Sequence, residues 1–378
     1  MLEGLQALRE QIDAIDRRLL DDLNERSQLV QRVGELKRDK RGVVYDASRE
    51  QEIVARLARE NSGPFPTAGL APVFREIISA TRSLEEVLKV GYFGPEGTFT
   101  HLAAVERFGD LVDHVSYPSI SDVFAAIERD KVSLGIVPIE NTTEGIVTAT
   151  YDALASCSEE ITICGESRRR ISNDLMSQSG RMEDIERVVS HPQPLAQCRG
   201  WLDRNLRGVP RVETASTAAA AQLAAEDGAV AAIGSSMAAR VYGLETVESS
   251  IEDRSDNTTR FLLIGRNMPA ASGGDLTLML FTIRRDEAGG LFRLLEPFSE
   301  LGINLSWIQL RPMEGKPWEY VFFLEAEGHV SDERMSRALA LAAEAAHSHR
   351  VLGSYPREGR GQVGDRDGNS DSARRGRA

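Results

Sequence analysis

The chain has 378 residues, long enough for two or three hydrophobic cores. Its formal net charge of −13 weighs against nucleic acid or an anionic membrane as a partner, which leaves small molecules as the expected ligands. No apolar run is long enough to span a bilayer, and Cys157, Cys164 and Cys198 lack metal-ligand spacing, which points to a reducing, cytoplasmic setting.

Positions 5, 8, 12, 15, 19, 22, 26, 29, 33 and 36 alternate three- and four-residue steps, and all but Asp22 and Arg26 are Leu, Ile or Val. This spacing predicts one long helix with a continuous buried seam. A second helix is expected from about Asp46, carrying Ile53 and Leu57, and a third carrying Leu70, Phe74, Ile77 and Leu84. Residues 1–89 therefore read as an all-α domain. A guanidinium on a buried line is costly unless paired, so a carboxylate of the protein or of a ligand should face Arg26. Lys37 lies about 20° around the same helix. Asp46, Arg49 and Glu50 extend the apolar line of the second helix, and Thr81 and Glu85 that of the third. These lines turn polar at one level, which suits a cationic pocket for a compact, multiply anionic substrate. Asp46 reads equally well as a helix N-cap, and Arg49 as a partner for its own neighbours. Arg9 sits about 100° away from Arg26, within reach of such a pocket only in a second subunit paired along the long helices.

From residue 90 to about 268, short apolar runs at 90–93, 134–137, 187–190, 230–233 and 261–264 alternate with helical stretches, as in an α/β domain. Thr98, Ser216 and Thr217 fall at expected helix starts, where free N–H groups would suit a carboxylate; each reads equally as a simple cap. Asp256 to Arg260 is polar and runs straight into an apolar strand, either as a turn or as a substrate-facing edge presenting Thr259 and Arg260. A small-residue linker at 270–274 leads to a strand, helix, strand, strand, helix, strand order over 275–356, the α+β ferredoxin-like plan. Residues 357–378 are rich in Gly, Arg, Asp and Ser and are expected to be disordered.

Residues 5–88 resemble the all-helical chorismate mutase domain through Arg9, Arg26, Lys37, Asp46, Arg49, Glu50, Thr81 and Glu85. The resemblance implies that Arg26, Arg49 and the partner subunit's Arg9 hold the two carboxylates of chorismate. Lys37 and Glu85 would contact its ether oxygen, Asp46 and Glu50 the hydroxyl side of the ring, and Thr81 would line the pocket. The rearrangement needs only a preorganised conformer and positive charge at the breaking C–O bond. Glu85 donates to the ether oxygen only when protonated, so mutase activity is expected to fall as pH rises.

Residues 90–268 resemble prephenate dehydratase along their whole length, at 94–100, 137–142, 191–198, 215–219 and 257–261. The implied fold is two-lobed α/β, periplasmic-binding-protein-like, with one lobe at 90–166 plus 244–268 and the other at 167–243. The chain would cross near Ser167 and return near Leu244. Thr259 would hydrogen-bond the departing hydroxyl, with Glu140, Asn141 and Gln197 around it. Thr98, Ser216 and Thr217 would touch substrate, and Arg260 would anchor a carboxylate. Ile171 to Asp174 departs from many relatives, which carry a histidine there.

Residues 275–356 resemble an ACT regulatory domain at 289–292, 302–305 and 309–312. Gly290, Leu291, Asn304, Leu305, Arg311 and Pro312 would then form a site for L-phenylalanine that feeds back on the dehydratase. Taken together, the resemblances imply a multidomain, cytoplasmic, homodimeric enzyme of phenylalanine biosynthesis that acts on chorismate and prephenate without cofactor or metal. Two rivals stay open: a non-catalytic two-lobed small-molecule sensor with a helical dimerisation bundle, and a dehydratase with an inactive mutase domain.

Overall fold

The computed structural model describes residues 2–37, 47–82, 88–283, 288–312 and 320–358. The first three helices are α1 (Leu2–Lys37), α2 (Ala47–Glu60) and α3 (Thr67–Arg82). The long helix forms as its periodicity predicts, but the expected burial of its seam is not met within one chain. Leu5, Leu8, Ile12, Ile15 and Leu19 are 46–57% exposed. The partly buried positions of α1 are Leu23, Arg26, Ser27, Val30 and Gly34, farther along the helix: Leu23, Arg26 and Val30 lie about five turns beyond Leu5, Leu8 and Ile12 on the same side, and α1 meets α3 there. Among the described residues no helix is long and apolar enough to cross a membrane.

The α/β region continues with β1 (Lys89–Phe93), α4 (Phe99–Phe108), β2 (Asp113–Tyr117), α5 (Ile120–Glu128), β3 (Leu134–Asn141), β4 (Gly145–Ile146), α6 (Thr148–Ser156) and β5 (Thr162–Arg170). A second group comprises β6 (Asp174–Ser177), β7 (Arg187–Ser190), α7 (Pro192–Gln197), α8 (Arg199–Asn205), β8 (Arg211–Glu213), α9 (Thr217–Glu226), β9 (Val230–Gly234), α10 (Ser236–Tyr242) and β10 (Glu245–Glu248). Then β11 (Thr258–Gly265) returns to the first sheet, whose order is β2-β1-β3-β11-β5, with β4 beside β3. The second sheet runs β10-β6-β9-β7-β8, and both mix parallel with antiparallel pairs. The crossings between lobes are therefore residues 171–173 and 249–257. Ser167 lies inside β5 and Leu244 precedes β10, so the chain crosses later than expected on both passes. Each crossing waits until a full edge strand has been laid down.

The third unit comprises β12 (Asp275–Thr282), α11 (Gly290–Glu300), β13 (Leu305–Pro312), β14 (Tyr320–Glu327), α12 (Glu333–Ala345) and β15 (Ser348–Pro356), in the antiparallel order β13-β14-β12-β15. Strand side chains alternate between faces. Met279 and Phe281 pack with Leu294, Phe298 and Leu339 of the unit's own helices. Leu276, Leu278, Phe323, Leu352 and Tyr355 instead join one core with Val123, Phe124, Tyr151, Leu262 and Ile264 of the first lobe. The unit is thus fused to the first sheet rather than tethered by its linker. Residues 357 and 358, expected in the disordered tail, are held: the Arg357 N–H donates to Gly274 O at 3.0 Å and the Glu358 N–H to Glu166 Oε1 at 2.9 Å.

Candidate active site

Sequence alternation along β11 decides what each side chain can reach. Phe261 and Leu263 face α4, in a core with Val90, Ala103 and Phe108, whereas Leu262 and Ile264 face the core shared with the third unit. By the same two-residue period Thr259 lies on the α4 face and Arg260 on the opposite one. The partner strand is adjusted to match. Arg260 pairs with Glu140 and Phe261 with Pro138, so Ile139 is an extra residue in β3, a bulge. A one-residue insertion reverses the phase of every residue beyond it. Asn141 thereby comes to face Thr259, its register partner, and its Nδ2 donates to Thr259 Oγ1 at 2.8 Å.

Asn141 is buried and fixed at both ends. Its Oδ1 accepts the N–H groups of Thr143 at 2.8 Å and Glu144 at 3.1 Å in the turn before β4, and its Nδ2 also donates to Asn257 Oδ1 at 2.9 Å. Asn257 Nδ2 donates to Gln197 Oε1 at 3.3 Å, and Asn173 Nδ2 to the same oxygen at 3.2 Å. Thr259 is therefore an acceptor toward Asn141, and no acceptor among the described residues takes its own proton. A threonine polarised in this way is a hydrogen-bond donor for a ligand oxygen. Asn141, Gln197 and Thr259 are brought together as expected; Asn257 and Asn173 were not singled out. The signal for Asn257 was its place two residues before Thr259 in a polar stretch entering a buried strand.

Two expected members of this group lie elsewhere. Arg260 is 8% exposed and donates from Nε to Glu166 Oε2 at 2.6 Å and from Nη2 to Glu325 and to the Tyr355 hydroxyl. It cannot anchor a substrate beside Thr259, because it points through the sheet to the third unit. Burial works against its charge, but Tyr355, Glu166 and Glu325 hold the guanidinium well above its ordinary value. Burial likewise opposes ionisation of Glu325, and Arg260, Ser306 and Tyr355 outweigh it, holding that carboxyl below its usual range. Glu140 is the register partner of Arg260 on the neighbouring strand, and its charge bears on Tyr151 of α6, so its side chain lies on the far face with Arg260 rather than in the Thr259 group.

Of the three helix-start residues, Thr98 and Ser216 make cap hydrogen bonds and Thr217 is the first residue of α9. Thr98 Oγ1 accepts the His101 N–H at 3.3 Å and Ser216 Oγ accepts the Ala219 N–H at 3.0 Å, with Thr217 buried beside it. Ser235, the cap of α10, donates to Gly97 O at 2.7 Å, so starts contributed by both lobes lie side by side.

Among the helices, Arg26 Nη1 donates to Thr81 Oγ1 at 2.6 Å, which in turn donates to Ile77 O at 2.9 Å. Burial lowers the Arg26 pKa, and among the described residues no carboxylate pairs with it. Arg49 pairs with Glu52 at 2.5 Å on its own exposed helix face, Glu50 is half-buried nearby, and Arg9 is exposed. Asp46 and Glu85 lie outside the described residues, as does the side chain of Lys37. In the third unit Gly290 opens α11, Leu291 is exposed, and Asn304 and Leu305 lead into β13, which ends at the exposed Pro312. Arg311 is engaged otherwise than expected. Its Nη2 donates to Asp152 of α6 at 2.7 Å, and Trp307 on the same face stacks on Tyr151 at 5.1 Å between centroids.

The prephenate dehydratase family matches residues 90–269, and the type II chorismate mutase family residues 8–86. Over 360 residues the chain is 42% identical to the bifunctional chorismate mutase/prephenate dehydratase of Aquifex aeolicus (strain VF5), covering 94% of this chain and 99% of that one. The chain belongs to the bifunctional chorismate mutase/prephenate dehydratase family. The same enzyme of Neisseria gonorrhoeae (strain ATCC 700825 / FA 1090) is 40% identical over 351 residues, 92% of this chain and 96% of its own. A solved prephenate dehydratase of Arthrobacter aurescens, in complex with L-Phe, matches at TM-score 0.66 and 33% identity, over 71% of this chain and 90% of that one. As a bifunctional chorismate mutase/prephenate dehydratase, the protein rearranges chorismate to prephenate and converts prephenate to phenylpyruvate in phenylalanine biosynthesis. The Arg26 and Thr81 pair belongs to the mutase region and the Thr259 group to the dehydratase region.

Proposed function

We propose that Thr259 serves the dehydratase reaction as the hydrogen-bond donor to the departing hydroxyl. In that reaction the C–C bond to the ring carboxylate breaks, its electron pair aromatises the ring, and the C–O bond to the hydroxyl breaks. Hydroxide is a poor leaving group and needs a donor at that moment. The observation that carries the reading is the hydrogen bond from Asn141 into Thr259 Oγ1, which leaves the Thr259 proton for the ligand. Thr259→Val keeps the shape and removes the hydroxyl. Prephenate kcat is expected to fall about 100-fold, the cost of losing one preorganised donor, with chorismate turnover unchanged; parental kcat would refute the role.

For the mutase, Arg26 with Thr81, together with Arg49, Lys37, Asp46, Glu50, Glu85 and the partner subunit's Arg9, would form the chorismate site. The Arg26 charge, half-buried and without a carboxylate partner among the described residues, supports a ligand carboxylate there. The half-exposed apolar face of α1 supports a homodimer in which a second copy covers it. The third unit reads as an ACT domain, and L-phenylalanine as a feedback inhibitor of the dehydratase. Its βαββαβ order, the L-Phe complex of the related dehydratase and the Arg260 bridge from β11 to β14 support this. Dehydratase rates that stay flat across a wide phenylalanine titration would count against it. The reducing cytoplasm is the compartment in which Cys157, Cys164 and Cys198, all free, would stay as thiols.

A further inference from the structure

The amides behind Thr259 have one consistent donor and acceptor direction. A backbone N–H can only donate, so the two N–H groups from Thr143 and Glu144 fix the Asn141 oxygen, and the end of Asn141 facing Asn257 must be its amino group. Asn257 then presents its oxygen to Asn141 at 2.9 Å and its amino group to Gln197 Oε1 at 3.3 Å. Asn173, fully buried, donates to that same oxygen at 3.2 Å. Gln197 Oε1 thus takes two donors, while Gln197 Nε2 is buried and finds no partner among the described residues. Reversing Gln197 would set its amino group against that of Asn257. Reversing Asn257 would set amino group against amino group at Asn141. Direction is therefore inherited, residue by residue, from the turn between β3 and β4.

We infer that Asn257 is a positioning residue of the dehydratase: it fixes which end of Gln197 faces the substrate, so that Gln197 Nε2 and the Thr259 hydroxyl are both presented as donors. The two branches start at one atom, since Asn141 Nδ2 serves Thr259 Oγ1 at 2.8 Å and Asn257 Oδ1 at 2.9 Å. Donors on both branches suit this substrate, whose carboxylates can only accept and whose departing hydroxyl is helped by a donor. Asn257 lies in the return crossing between the lobes and Asn173 in the outward one, while Gln197 belongs to the second lobe and Asn141 to the first. The orientation of Gln197 is thereby tied to the relation of the two lobes.

The inference rests on dehydration taking place beside Thr259, which Thr259→Val checks separately. In Asn257→Asp an oxygen replaces the amino group that faces Gln197 Oε1. Gln197 then turns its amino group to the new carboxylate and offers the substrate an acceptor. The expected result at neutral pH is a fall in prephenate kcat/KM of about 100-fold, the scale of one lost donor. Activity recovers as pH is lowered through the titration of Asp at 257, because its acid form donates as the amide did. Asn257→Leu loses activity without recovery, and the parent has no such acid-side rise. A parental denaturant midpoint and circular dichroism spectrum report an intact fold in both variants. Should Asn257→Asp lower that midpoint markedly, Gln197→Glu carries the test, since its acid form donates and its prephenate turnover must rise on acidification relative to the parent. A parental pH profile in Asn257→Asp, or in Gln197→Glu where the first variant is misfolded, overturns the proposal.

Discussion

Replacing Arg260 by Leu separates two roles that neighbouring residues hold on one strand. The change leaves the carboxylates of Glu166 and Glu325 buried without their cation, and breaking such a pair by removing one partner costs about 3–5 kcal/mol. Denaturant unfolding of the full chain should record a loss of that size, whereas Thr259→Val should stay within about 1.5 kcal/mol of the parent, the scale of one hydrogen bond. If Arg260→Leu unfolds like the parent and changes only KM for prephenate, Arg260 anchors substrate after all. Thr259 was legible because a polar stretch feeding a buried strand is unusual, and Asn141 through the resemblance of residues 137–142 to prephenate dehydratase. Their geometry was not, since placing Thr259 and Arg260 on one cleft treats 258–260 as an edge when it is already strand. Pro138 is the mark that the bulge left in the sequence: a residue without an N–H is confined to edges and bulges in a sheet. The contacts among Asn173, Gln197 and Asn257 join segments far apart in the chain and leave no local pattern.

At the scale of elements, the spacing of α1 predicted the helix correctly and its burial incorrectly for one chain. Periodicity says that a face is covered, not by which copy. Five half-exposed Leu and Ile residues at about 1.5–3 kcal/mol each on full burial are ample for association. The homodimer proposed above predicts that Ile15→Glu with Leu19→Glu gives a monomer by light scattering where the parent gives a dimer, and abolishes chorismate turnover while prephenate turnover persists. A parental mass with parental mutase rate would show that this face is not the contact. The order of the third unit's strands was equally plain, but its second apolar face was not. Leu276, Leu278 and Leu352 look like ordinary core residues until they are found packed with Val123 and Ile264 of another lobe.

Across the whole molecule, the third unit and the dehydratase lobe meet through Arg260, Arg311 and Arg350. Arg350 donates to Cys157 O at 2.7 Å and Ser158 O at 2.6 Å near the end of α6. Arg260 makes this contact sensitive to acid. The folded Glu325 carboxyl titrates below its ordinary value, so the folded state holds fewer protons on it than the unfolded state. Its contribution is complete above the ordinary Glu value of about 4.3 and is lost as pH falls through the depressed one. In a pH series of thermal melts, Glu325→Gln should therefore lose less stability on acidification than the parent; parallel curves would contradict the ion-pair reading. The most direct test of the account is to supply chorismate alone to the purified chain and track prephenate and phenylpyruvate together. The parent should consume chorismate and release phenylpyruvate, and Thr259→Val should consume chorismate at the same rate and accumulate prephenate. Untouched chorismate with the parent, or phenylpyruvate at the parental rate from the variant, would contradict it.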